Sequence, residues 1–201
     1  NKMTQKFCLI LICFAILSFV IFPIKAQSTD ASVYFPQNLG DEHVYRKSGK
    51  LAKNNDSWTN KITDKKGKNF THSNFWGDGI SRNLKLNKKF NVVEKTKDKK
   101  FVWYKFAETS EWTINLSQEG LPCLEGSKIK VTSRTETVQV PAGTFQNCLK
   151  LAFTTNCEDA GIVEQWFAPN VGLVKQTEST IGGLLVSELV KANVGGKTYP
   201  Q

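Results

Sequence analysis

From Tyr34 onward the chain breaks into short runs rich in β-branched and aromatic residues, set about ten residues apart and bounded by Gly, Asn, Asp and Pro. The runs of the first half are 43–46, 57–63, 69–75, 80–86, 90–96, 101–106 and 111–116. Strand signals at this spacing belong to an antiparallel all-β domain. No stretch after residue 33 holds a 3.6-residue apolar period over three turns. The expected fold is therefore all-β, an antiparallel, curved meander sheet of half-barrel or barrel-like form.

The second half gives two hairpins. Val138-Gln139-Val140 leads into Pro141-Ala142-Gly143, where proline presets the first turn position and glycine can leave at φ > 0, and 144–153 returns. In that return strand Phe145, Leu149, Leu151 and Phe153 share one face with Asn147, so Cys148 is expected on the other. Ile129 and Val131 have odd parity whereas Val138 and Val140 have even parity, which predicts a bulge or bend between Thr132 and Thr137. The second hairpin joins 162–167 to 173–178 through Ala168-Pro169-Asn170-Val171-Gly172. The last strand, 184–192, carries apolar residues on both faces, as a central strand or one lining a cavity would.

Before Tyr34 lie two different segments. Residues 7–24 carry no charge, follow Lys2 and Lys6, and end at Lys25-Ala26, the pattern of a signal peptide cleaved after Ala26; retention as an anchor is the rival reading. The division expected is thus a cleavable N-terminal signal peptide helix at 1–26, a disordered linker at 27–33, a β domain at 34–195 and a tail at 196–201. Cleavage removes three lysines and lowers the formal charge from +9 to +6. Much of that excess is lysine between Lys47 and Lys105, alternating with Asn, Asp, Thr and Ser as on a solvated face. An exported chain meets little nucleic acid, so none is expected as a partner.

Cys123, Cys148 and Cys157 follow the leader, and export calls for one bridge and one thiol. A strand over 144–153 would separate Cys148 from Cys157 by most of its length, against the roughly 7 Å limit between bridged Cα atoms. Cys123 and Cys157 both lie in loop sequence and are the expected pair. His43 and His72 stand on different strands with no Cys at metal spacing, and the chain has no His-Glu-x-x-His, Cys-x-x-Cys or Gly-x-Ser-x-Gly. Asp41-Glu42 and Glu158-Asp159 read as turn formers, so no catalytic residue, cofactor or metal is expected.

Large apolar side chains occupy both faces of the expected strands, at Trp103-Tyr104, Trp166-Phe167 and 184–192. They make either a two-layer core or a curved sheet around an apolar groove. On the groove reading Trp103, Phe106, Trp166, Leu185 and Leu189 line the site, and the partner is a lipid or another apolar or amphipathic molecule. The rival readings are a structural or protein-interaction domain of the cell envelope and, least favoured, a hydrolase.

Tyr34-Phe35-Pro36, Val140-Pro141-Ala142-Gly143-Thr144-Phe145, Cys157-Glu158-Asp159-Ala160-Gly161 and Phe167-Ala168-Pro169-Asn170-Val171-Gly172-Leu173-Val174 together resemble an uncharacterised family of secreted bacterial β-domain proteins. The resemblance runs from about Tyr34 to Val194 and supports the Cys123–Cys157 pairing. It implies export to a secreted or periplasmic location without known catalysis. The family is similar in architecture to periplasmic half-barrel lipid and lipoprotein carriers, a likeness of fold alone. Membrane contact is expected only through the leader, should it stay uncleaved.

Overall fold

A computed structural model describes residues 30–53, 56–96, 100–115 and 123–200. The apolar segment 7–24, the expected cleavage after Ala26 and residues 27–29 lie outside the described residues.

Thirteen antiparallel strands form one curved sheet: β1 (Glu42–Ser48), β2 (Ser57–Lys66), β3 (Asn69–His72), β4 (Arg82–Leu86), β5 (Asn91–Lys95), β6 (Lys100–Lys105), β7 (Trp112–Thr113), β8 (Lys128–Val140), β9 (Gly143–Thr154), β10 (Gly161–Ala168), β11 (Gly172–Thr180), β12 (Gly183–Val194) and β13 (Lys197–Tyr199). The order is two meanders, β6 to β1 and β12 to β7, joined where β1 pairs with β12, with β13 added to β12. The central position expected for the last strand is thus observed. Because residues 106–111 link β6 directly to β7, the two outer edges of the sheet are held together by a short connection, and the sheet must curl. Arg134 of β8 ties that seam, its Nη2 donating to the carbonyls of Phe106 at 2.7 Å and Glu108 at 3.3 Å. Among the described residues the edges share no strand pairing, so the barrel stays open along this line.

The expected bulge is present: β8 and β9 slip register between Val131 and Ser133, Ser133 and Glu136, and Glu136 and Val138. The parity argument missed its counterpart on β9. Asn147 takes φ +55°, a left-handed conformation that Asn tolerates better than most residues. The alternation breaks there, and Cys148 is fully buried instead of facing away from the apolar side, its Sγ donating to the Phe145 carbonyl at 3.4 Å.

Both expected boundaries of the domain shift outward. Ala31–Tyr34 form a 3-10 turn capped by Asp30, whose carboxylate accepts from Ser32 N, and Asn170 N donates to Val33 O at 2.6 Å. Ala31 and Tyr34 are buried, so the fold starts before Tyr34 and residues 30–33 are not a disordered linker. At the other end Gly195-Gly196 reverse the chain and Tyr199 packs against Phe145, which makes a strand of the expected tail.

The β8–β9 turn has two residues, Pro141 and Ala142, and Gly143 leaves it at φ +137° with open space where a Cβ would stand. Only backbone strain opposes a side chain there. Gly143→Val is expected to cost on the order of 1–3 kcal/mol in a urea titration, and an unchanged midpoint would refute this account of the turn.

Candidate functional site

The interior is packed from both ends. At the lower end, where β8 turns into β9 and β10 into β11, Tyr34 and Phe35 approach Phe106, and Phe35 also meets Phe75 and His72. From the upper end, where β1 leads to β2 and β11 to β12, the β3–β4 loop inserts Phe75 and Trp76. Trp76 stacks on Tyr104 with ring centroids 5.5 Å apart and tilts against Trp103 at 5.1 Å. Tyr104 in turn stacks on Phe106 and meets the edge of Phe167.

The inserted loop does not fill the upper mouth. An open cavity of about 230 Å³ remains, walled by Lys47, the Trp76-Gly77-Asp78 corner, Cys123, Leu124, Gly161, Ile162, Gln176 and Glu178. The Cys123–Cys157 disulfide, with Cα atoms 5.3 Å apart, forms one side and confirms the pairing expected from the loops. Among the described residues Cys148 is the free thiol. A polar chain leads from the core to the rim: Tyr104 Oη donates to Gln165 Oε1 at 2.9 Å, Gln165 Nε2 to Gln176 Oε1, and Gln176 Nε2 to Glu178 Oε1 at 2.6 Å. Burial raises the Tyr104 pKa, so this phenol acts as a neutral donor.

A buried ion cluster braces the same wall. Arg82, 1% exposed, bonds Asp78 through Nη1 at 2.9 Å and Nη2 at 2.6 Å, and its Nε lies 4.0 Å from Glu94 Oε2. Trp103 Nε1 donates to that Glu94 oxygen at 2.9 Å, and the guanidinium sits 5.2 Å from the Trp103 ring centroid. Burial raises the Glu94 pKa, against the opposing effects of the Trp103 bond and Arg82. With one cation between two carboxylates, the arrangement holds the Asp78 corner of the cavity in place.

The five residues expected to line a groove do not form one. Trp103, Phe106 and Leu189 are fully buried and packed in the core. Trp166 points to the opposite side of the sheet from its neighbour Gln165, with Lys150 and Lys175 lying 5.0 and 5.9 Å from its ring. Those lysines pair with Glu164 and Glu188. Leu185 is half-buried and stands across from Glu178 on β11, at the mouth. The residues that reading overlooked are Lys47, Leu124, Ile162, Gln176 and Glu178. A signal was present for two of them: Gln176 and Glu178 follow Val174 at two-residue steps, so the strand face that takes Val174 inward carries polar groups towards its end.

Among the described residues no group of three or more His, Cys, Asp and Glu side chains is placed to hold a metal ion. Over residues 113–190 the chain matches a family model described as DUF3108-like, and the hairpin, Cys157 and Phe167–Val174 motifs all fall inside that span. Two solved structures are similar at low identity. One, from Bacteroides fragilis, is described as an exported protein with a YmcC-like fold: 16% identity, TM-score 0.45, covering 80% of this chain and 98% of that one. The other, from Parabacteroides distasonis, is described as a lipoprotein: 14% identity, TM-score 0.34, with the same coverage. No curated protein matches the chain.

Proposed function

We propose that this protein is an exported, non-catalytic β domain that binds an amphipathic molecule at its upper mouth. The observation that carries the reading is the open cavity left where the sheet's own side chains stop, apolar at Trp76, Leu124 and Ile162 and polar at Lys47, Gln176 and Glu178. At about 230 Å³ it is smaller than a drug-sized pocket and suits part of one acyl chain or a small headgroup rather than a whole diacyl lipid.

Export is supported by the apolar segment 7–24 and by the disulfide, which suits an oxidising compartment. A non-catalytic role is supported by the sealing of the groups that most often do acid-base or nucleophilic work. His43 and His72 are buried with lowered pKa values, and burial pushes the Cys148 thiol up to about 12. The burial of Trp103, Phe106 and Leu189 favours a second reading, an interaction domain with no small-molecule ligand.

Titration with a fluorescent fatty-acid analogue separates the two. Saturable binding is expected, weakened at least about tenfold by Ile162→Trp, which fills the cavity, and unchanged by Lys130→Trp on the exposed face of β8. Absence of saturable binding to the folded wild-type chain would leave the interaction domain.

A further inference from the structure

The upper end carries a second feature, outside the cavity. Of the large apolar side chains that the described residues leave exposed, three sit on its two hairpin tips: Leu51 in the β1–β2 loop, and Ile181 and Leu184 at the β11–β12 turn, 52, 88 and 58% exposed. The tips form one platform. A Cβ on Gly49 would collide with the Leu184 carbonyl, and a Cβ on Gly182 would collide with the Leu51 side chain. Glycine at both places lets the two turns pack backbone to backbone, with Leu51 lying over Gly182. Single exposed leucines are ordinary on a protein surface; three projecting from adjoining turns are not.

Charge identifies the partner. Lys47, Lys50 and Lys53 surround the apolar tips on the β1–β2 side, and Lys50 and Lys53 are exposed. Asp56, at the end of the β1–β2 loop, and Glu178, near the end of β11, are the acids closest to the tips along these two hairpins, and each is partly buried. Aliphatic tips flanked on one side by ammonium groups match the boundary of an anionic bilayer, where acyl chains lie beneath phosphates. A protein partner would have to supply both an apolar socket and an acidic collar, which one anionic membrane surface offers at any point.

We propose that the β1–β2 and β11–β12 tips dock this domain onto an anionic phospholipid surface, with Leu51, Ile181 and Leu184 entering the interface and Lys47, Lys50 and Lys53 meeting lipid phosphates. This contact is separate from any anchoring by the leader. It also brings the cavity mouth to the membrane, since Lys47 belongs to both the platform and the cavity wall.

Hydrogen–deuterium exchange of the full chain, with vesicles of phosphatidylcholine alone or mixed with phosphatidylglycerol, reads this contact whatever the N-terminal segment does. Slower exchange at 49–53 and 180–185 is expected with the anionic vesicles and not with the neutral ones. Lys50→Glu combined with Lys53→Glu should raise the lipid concentration for half-protection about thirtyfold, as the loss of two headgroup contacts implies. Leu51→Ser with Ile181→Ser should abolish protection while exchange in the core strands stays unchanged. Equal exchange in both lipids, protection at the lower end instead, or protection that grows with protein concentration without lipid would overturn the proposal, the last in favour of self-association. None of these results bears on fatty-acid binding in the cavity.

Discussion

Moving the protein from about pH 7.5 to about pH 4.5 is expected to remove roughly 3 kcal/mol of stability through His72 alone. The ring is 3% exposed, stacked on Phe35 at 5.6 Å and edge-on to Phe75, and Asn60 Nδ2 lies 3.2 Å from its Nδ1. Burial, then the proximity of His43, lowers its pKa to about 3. A histidine whose folded pKa lies below its unfolded value of about 6.5 holds its proton more weakly when native. Its stabilising contribution is whole above about pH 6.5 and is lost as the pH falls towards about 3, at up to roughly 1.4 kcal/mol per unit. His43 acts in the same direction: it is buried with a lowered pKa, although its Nε2 pairs with the Val171 carbonyl at 2.7 Å. Glu94 acts in the opposite direction because its pKa is raised. Urea midpoints at the two pH values, for wild type and His72→Phe, isolate the effect. The variant should show a clearly shallower loss, and equal losses would mean that His72 can be protonated in place.

Breaking the Cys123–Cys157 bridge is the other large effect. The two residues are 34 apart in sequence and enclose β8 and β9. On the chain-entropy model, opening such a loop costs about 3–4 kcal/mol, or a fall of about 10 °C in melting temperature for a domain of this size. Replacing both cysteines by alanine should show that fall. Cys123 also walls the cavity, and its Cβ lies 3.4 Å from where a Cβ on Gly161 would stand. Fatty-acid affinity should therefore drop along with stability. Cys148→Ala is the contrast: it removes one buried sulfur and should cost about 1 kcal/mol. A fall for Cys148→Ala as large as for the double variant would show that packing around these positions, rather than the covalent link, sets the stability.

The strand pattern was readable in the sequence because its cause is local. Two-residue alternation, the Pro141-Ala142-Gly143 turn and the parity conflict between Val131 and Val138 each depend on neighbours along the chain, and together they specify an antiparallel, curled, bulged sheet. The disulfide was readable as well, since it rests on loop chemistry and on the length of a strand. Tertiary structure decided which apolar faces stay open. Nothing near Phe75 and Trp76 announces that the β3–β4 loop folds inward and covers Trp103 and Tyr104, because that depends on the space left between strands remote in sequence. Asn147 shows the same limit at one residue: a single left-handed backbone moves Cys148 from the face its parity assigned into the core. The cavity mouth is composed of side chains from Lys47 to Glu178, and only the curling of the sheet brings them to one place.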